Sequence, residues 1–297
     1  MRPLKSLFLK YRTNLITVFS IILIGIALLN IYYSVEVRVT SNDECIWAPK
    51  KISQDSVAHF FTLVKVDGVT WNAGIRDGDQ LIEIDGKTIY QDFQAQIILN
   101  GFKSGEYAEY KYLRDGKIFT TIVYIKKLIQ FESLASSLSA LFWILIGFIV
   151  LIAKPDGKIQ KIFYSLAVLI VFSSLGVLIP FRTNFEGFFR DSTMIATMIG
   201  TAWIIGICFS PFVIIYFFWN FPKPFLFLEK KWLTRALFIV PAIFTLALFV
   251  FVLLTIRYHL FPVMTLFSTL NAFGLITMTG NLAAFVFLII QYRRLKT

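Results

Sequence analysis

Apolar and polar residues in this chain are segregated into long blocks. An apolar run covers about 15–33, a polar segment follows over about 36–127, and five more apolar runs occupy about 132–153, 162–181, 193–219, 236–256 and 265–291. A helix rising about 1.5 Å per residue needs roughly twenty apolar residues to cross the hydrocarbon of a bilayer, which suits runs of this length. The pattern therefore predicts a polytopic α-helical membrane protein with six transmembrane helices and one polar, β-rich domain between the first two. The expected divisions are 1–35 for the N-terminus and first helix, 36–127 for the polar domain, 128–292 for a five-helix bundle, and 293–297 for a short tail.

Within the polar segment the period changes. Val57 to Val66 reads as a strand leading into Ala73-Gly74-Ile75-Arg76-Asp77-Gly78-Asp79. Gly74 and Gly78 suit turns that need φ > 0, and Asp77 and Asp79 suit side-chain hydrogen bonds within such turns. Leu81, Ile82 and Ile84 form a short apolar strand, and Asp85-Gly86 before Lys87 is a strong two-residue hairpin signal. Asp92 is expected to cap a short helix carrying Phe93, Ile97 and Ile98, with Gly101 ending it. A second hairpin is expected from 107–113 to 118–125, turning across Arg114-Asp115-Gly116-Lys117.

The run from Ala73 to Gly86 resembles the core of bacterial-type PDZ domains, where A-G-[IL]-x-x-G-D-x-[IL]-x-x-[IV]-[DN]-G recurs. Ala73, Gly74, Ile75, Gly78, Asp79, Asp85 and Gly86 all fill their places. The resemblance covers about ninety residues and implies a groove that adds a peptide strand and holds its carboxylate in a nest of backbone N–H groups. Ile46 and Trp47 on one side, with Phe93 and Ile97 on the other, are the groove residues it implies. The nest would fall at about 43–47, before a strand over 48–53. That loop departs from the family pattern: it has no glycine, Asp43 and Glu44 would repel a carboxylate, and Pro49 removes a strand donor. An internal segment, a lipid-linked ligand or no ligand remain open at this groove.

Composition agrees with membrane embedding: 57% of residues are hydrophobic and the mean hydropathy is +0.71. The net charge of +11 lies outside the polar domain, which holds 12 Lys/Arg against 13 Asp/Glu. Arg2, Lys5, Lys10 and Arg12 precede the first run. Lys154, Lys158 and Lys161 separate the second and third, and Lys223, Lys230, Lys231 and Arg235 separate the fourth and fifth. Arg293, Arg294 and Lys296 close the chain, while the opposite loops hold only Arg182, Arg190 and Arg257. The positive-inside rule then puts both termini in the cytoplasm and the PDZ-like domain outside the bacterial cytoplasmic (inner) membrane. Basic residues so placed are topology signals, so nucleic acid is not an expected partner. No small-residue cleavage site follows the first run, so it reads as an uncleaved anchor. Cys45 and Cys208 are expected as free thiols, and Trp219 and Trp232 as interfacial aromatics.

Catalytic signals are missing from the pattern. The centres of spans two to six carry no Asp, Glu, Lys, Arg or His. The zinc motif of site-two proteases and the Ser-His or Ser-Lys pair of serine intramembrane proteases are absent, so the expectation is a non-enzyme without a cofactor. Asn271 and Asn281 are expected to hydrogen-bond neighbouring helices. Pro211, Pro241 and Pro262 read as kinks or helix ends. Tyr216-Phe217-Phe218-Trp219-Asn220-Phe221-Pro222 resembles an H-F-x-x-x-F-P box in multi-span sensor regions of bacterial signalling proteins, some of which carry an external PDZ domain between their first two spans. Tyr216 stands where that box has His, and an interfacial aromatic belt explains the same residues.

The layout resembles PDZ-containing sensor histidine kinases and related signalling proteins. It implies an input module whose ligand or protein partner binds outside and whose last span signals to a cytoplasmic kinase or phosphatase, either fused beyond Thr297 or separate. The alternative is a non-catalytic PDZ scaffold that recruits envelope proteins or protease substrates.

Overall fold

The computed structural model describes residues 2–51, 57–90, 92–179, 193–225, 230–258, 260–261 and 263–296. Arg182, Arg190, His259 and Pro262 lie outside the described residues, as do the side chains of residues 2–12, Asp92, Phe93, Arg257, Asn271 and Lys296. The chain divides into two compact units, one formed by 1–34 with 131–297 and the other by 35–130.

The second unit is built on antiparallel strands. They are β1 (Thr40–Asn42), β2 (Cys45–Lys51), β3 (Val57–Val64), β4 (Gln80–Ile84), β5 (Lys87–Thr88), β6 (Tyr107–Arg114), β7 (Lys117–Tyr124) and β8 (Lys126–Leu128). The main sheet runs β2-β3-β4-β6-β7, with β5 on β4, while β1 pairs with β8 in a small separate sheet. Both predicted hairpin turns form. Asp85 and Gly86 take φ of 52° and 71°, and Asp115 and Gly116 take 49° and 74°, the left-handed pair that a two-residue turn between twisted strands requires. The strand predicted over 48–53 begins earlier, at Cys45, because Cys45 pairs with Val64 and Ile46 with Leu63. A register shift follows between Ile46 and Trp47.

The core of this unit closes around Phe61, Ile75, Leu81, Ile84, Leu99, Tyr110, Val123 and Ile125, all at most 2% exposed. Leu99 comes from the predicted short helix, which spans Asp92–Asn100. Ile75 comes from the glycine motif, which follows a single helical turn at Val69–Asn72. Alternation along β6 is clean: Ala108, Tyr110 and Tyr112 face inward.

The first unit is helical. Its helices are α1 (Arg2–Tyr32), α4 (Phe131–Ala153), α5 (Lys158–Ser174), α6 (Thr193–Asn220), α7 (Lys231–Tyr258) and α8 (Val263–Lys296), with α2 and α3 denoting Val69–Asn72 and Asp92–Asn100 of the other unit. Among the described residues, five helices are long and apolar enough to cross a membrane: 13–37, 131–153, 158–178, 194–220 and 231–255. The sixth apolar run of the sequence lies within α8. Pro211 and Pro241 sit inside α6 and α7 rather than at their ends.

Small residues set the helix crossings. A Cβ at Gly147 would lie 2.7 Å from the Ala167 Cβ, and one at Gly280 would lie 2.6 Å from the Pro211 Cβ. At Gly206 it would collide with the backbone of Phe172 and Ser173. Missing side chains thus let α4 meet α5, α5 meet α6, and α6 meet α8 at close range. A polar seam ties α1 and the π-helical turn that follows it (Tyr33–Val37) to their neighbours. The Ser20 and Tyr164 hydroxyls are 2.7 Å apart, Asn30 Nδ2 donates to Ser174 Oγ at 2.8 Å, and the Ser34 and Ser137 hydroxyls are 3.0 Å apart. Asn281, expected to bond a neighbouring helix, is instead exposed on α8.

Candidate functional site

Two places carry the residues that the sequence singles out, one in each unit. In the sheet unit the glycine motif is a self-supporting turn. Gly74 and Gly78 take φ of 90° and 91°. A Cβ at Gly78 would meet nothing within 4 Å, so backbone conformation rather than space requires glycine there. Asp79 is 3% exposed and accepts the backbone N–H of Arg76 at 2.8 Å. Arg114, at the end of β6, grips Asp79 with two prongs: Nε donates to Oδ1 at 2.7 Å and Nη2 to Oδ2 at 2.5 Å. The same Nη2 donates to the Gly74 carbonyl at 2.8 Å. Asp77 Oδ1 accepts the Val64 N–H at 2.7 Å, and the Gly78 N–H donates to the Phe61 carbonyl at 2.8 Å. The motif therefore fixes the exit of β3 and the entry of β4, and its carboxylates are spent on structure.

The described groove residues fall on two neighbouring elements, β2 and α3. β2 is an edge strand among the described residues, and α3 packs beside it. Ile46 and Ile97 are exposed, on β2 and α3 respectively. Trp47 turns toward the core, its ring edge-on to Phe61 at 6.5 Å. The Phe93 side chain lies outside the described residues.

The loop before β2 is closed by its own side chains. Asn42 Oδ1 accepts the Glu44 N–H at 2.8 Å. Asp43 is buried, and its carboxylate takes the Tyr110 hydroxyl at 2.7 Å together with the Cys45 backbone N–H. Burial raises the Asp43 carboxyl above its usual range, against those hydrogen bonds. Glu44, at φ 56°, receives Lys65 at 2.8 Å, Lys126 at 2.9 Å and the Val69 N–H at 3.0 Å. The Lys65 hydrogen bond, followed by that of Lys126, holds its carboxyl down to about 2. The Cys45 thiol is pushed up, chiefly by burial. A peptide carboxylate would find the Glu44 and Cys45 donors already taken. Among the described residues β2 pairs on one side only, with Ile46 exposed and no N–H donor at Pro49.

In the helical unit, the Tyr216–Pro222 box is a junction of helices. The Tyr216 ring packs on Phe238 of α7 at 5.4 Å and lies 5.6 Å from the Lys158 ammonium of α5. Phe217 contacts Phe163 of α5 at 5.6 Å and stacks on Phe221 at 5.2 Å. Asn220 is 8% exposed; its Nδ2 donates to the Tyr216 carbonyl and its Oδ1 accepts Lys158 Nζ, both at 2.7 Å. Pro222 is exposed and follows a cis peptide bond.

Gln291 of α8, 1% exposed, donates through Nε2 to the carbonyls of Phe218 and Lys223, both at 2.8 Å. Arg294 lies over the Phe225 ring at 4.2 Å. Gln291 is hard to single out in the sequence, where it is one neutral amide beside the cations that close the last span. Lys158, read as a topology charge, is also a ligand of the box. No protein-family model matches the chain, and no curated protein matches it, so a functional reading rests on these two places.

Proposed function

We propose that this chain is the membrane-embedded input module of a bacterial signal-transduction protein. In this reading it has six spans, cytoplasmic termini in the inner membrane, and an external PDZ-like domain that binds a ligand or protein. The chain itself performs no catalysis and needs no cofactor. The observation that carries the reading is the Gln291 latch. The helix that runs to the C-terminus is hydrogen-bonded to the Tyr216–Pro222 box, where α5, α6 and α7 also meet. A change in helix packing at that junction reaches α8 directly, and through it a fused or separate cytoplasmic kinase or phosphatase.

A scaffold that recruits envelope proteins is the second reading. It is favoured by the edge strand β2, with exposed Ile46 and with Ile97 of the neighbouring α3. Phosphoproteomes of bacteria carrying the wild-type chain, Gln291→Leu, or a chain lacking residues 36–127 separate the two. The input-module reading expects the same phosphorylation sites to respond to both changes. Loss of extracytoplasmic partners on the deletion, with no phosphorylation response to Gln291→Leu, would replace it with the scaffold.

A further inference from the structure

We propose that the end of the helical bundle at Tyr216–Asn220 holds the phosphate of an anionic phospholipid headgroup. A cavity of about 620 Å³ opens between α5, α6 and α7. Three cations line it: Lys158 of α5, and Lys231 and Arg235, one turn apart on α7. Tyr216, Trp219 and Phe238 supply an aromatic wall. None of the described lining residues is acidic, and no carboxylate among the described residues pairs with any of the three cations. Asp156 and Glu229 are the acidic residues near these cations in sequence. Asp156 does not line the cavity, and Glu229 lies outside the described residues.

Lys158 is already steered into place, because Asn220 accepts from its ammonium at 2.7 Å and the Tyr216 ring lies below it. A neutral amide and a ring orient the cation without neutralising it. The cavity thus places three exposed positive charges next to apolar surface, a match for a ligand with an anionic head and an apolar tail.

Position identifies the source of the phosphate. The membrane-crossing stretches of α5, α6 and α7 start at Lys158, end at Asn220 and start at Lys231, so the cavity lies at the level where spans end and headgroups begin. A phosphodiester at that depth is presented by lipid, its acyl chains running beside the aromatic wall. Basic pockets between transmembrane helices recognise lipid phosphates in this way, while a zwitterionic headgroup brings its own cation into the same space. The site goes beyond the input-module reading and depends only on the helices being in a membrane.

The test is native mass spectrometry of the delipidated full chain in detergent. Phosphatidylglycerol and phosphatidylcholine are titrated separately, with inorganic phosphate as competitor. The wild-type chain is expected to prefer phosphatidylglycerol. The triple variant Lys158→Gln, Lys231→Gln, Arg235→Gln is expected to lose about fivefold in affinity per cation, roughly 100-fold in all. A control that removes three exposed cations of the sheet unit (Lys50→Gln, Lys87→Gln, Lys117→Gln) should bind like wild type. If circular dichroism shows the triple variant misfolded, Arg235→Glu, at an exposed position, must show the loss instead. Equal affinity for the two lipids, or wild-type affinity in the folded variants, overturns the proposal. Displacement of phosphatidylglycerol by millimolar inorganic phosphate overturns the lipid source in favour of a free anion. Loss of headgroup preference with an unchanged phosphorylation response to Gln291→Leu would sink this site and leave the input-module reading standing.

Discussion

The hydroxyl of Tyr110, at the centre of β6, donates to the buried Oδ2 of Asp43 over 2.7 Å, anchoring the loop before β2 to the middle of the sheet. The loop in which a carboxylate nest is expected is thereby pinned from beneath. Tyr110→Phe leaves a buried carboxylate short of a donor and should lower stability by about 1–3 kcal/mol. Hydrogen exchange of the sheet unit in the full chain measures it. Unchanged protection of the amides in β2 and β6 would show that the bond contributes nothing.

Asp79 and Arg114 make another long-range tie in the unit, joining the glycine motif to the end of β6. Asp79→Ala strands a half-buried guanidinium and unties the Arg76 N–H, and should cost about 3 kcal/mol. Arg114→Lys should recover part of that loss at most, because an ammonium cannot reproduce the two-pronged contact. Thermal unfolding of the full chain, followed by hydrogen exchange in β4 and β6, should rank wild type above Arg114→Lys and Arg114→Lys above Asp79→Ala.

Acid should loosen the same region with a defined sign. Glu44 titrates at about 2 in the fold against a usual value near 4.5. Its contribution is complete above about 4.5 and is lost as the pH falls toward 2. Asp43 works in the opposite sense, since burial raises its carboxyl and proton uptake at falling pH favours the fold. Exchange protection of β2 and β3, corrected for intrinsic rates, should therefore fall between pH 4.5 and 2 in the wild type. In Glu44→Gln it should stay level or rise over that window. A parallel decline in both proteins would assign the acid loss to other groups.

Gly206→Leu should lower the thermal transition of the full chain in detergent by several degrees, since even a Cβ there meets the backbone of α5. Gly25→Leu, where nothing lies within 4 Å of the added carbon, should change it little. Equal effects from the two substitutions would mean that the crossing of α5 and α6 tolerates separation.

Much of this fold is legible in the sequence because the decisive residues have few conformations open to them. Asp85-Gly86 and Asp115-Gly116 can hardly be anything but left-handed turns, and both appear as such. The apolar runs similarly announce long helices. Partners are harder to read. An all-round apolar helix does not show which face meets a neighbour, so Asn281 reads as a contact residue yet is exposed, while Gln291 hydrogen-bonds the end of α6. The partners within the loop before β2 are hidden for a related reason: nothing local in the sequence places Tyr110, Lys65 and Lys126 around Asp43 and Glu44.

The pairing of β1 with β8 carries a consequence for how the chain assembles. Ser34 and Ser137, which join the turn after α1 to α4, are 103 residues apart in sequence. Thr40 and Leu128 are register partners, so once the sheet has formed, the strand ends bring the two flanks of that long loop together. Closing a loop costs entropy that grows with its length, and a folded insert shortens the effective loop to the few residues on either side. A formed sheet therefore lowers the entropy that the chain gives up when α1 meets α4.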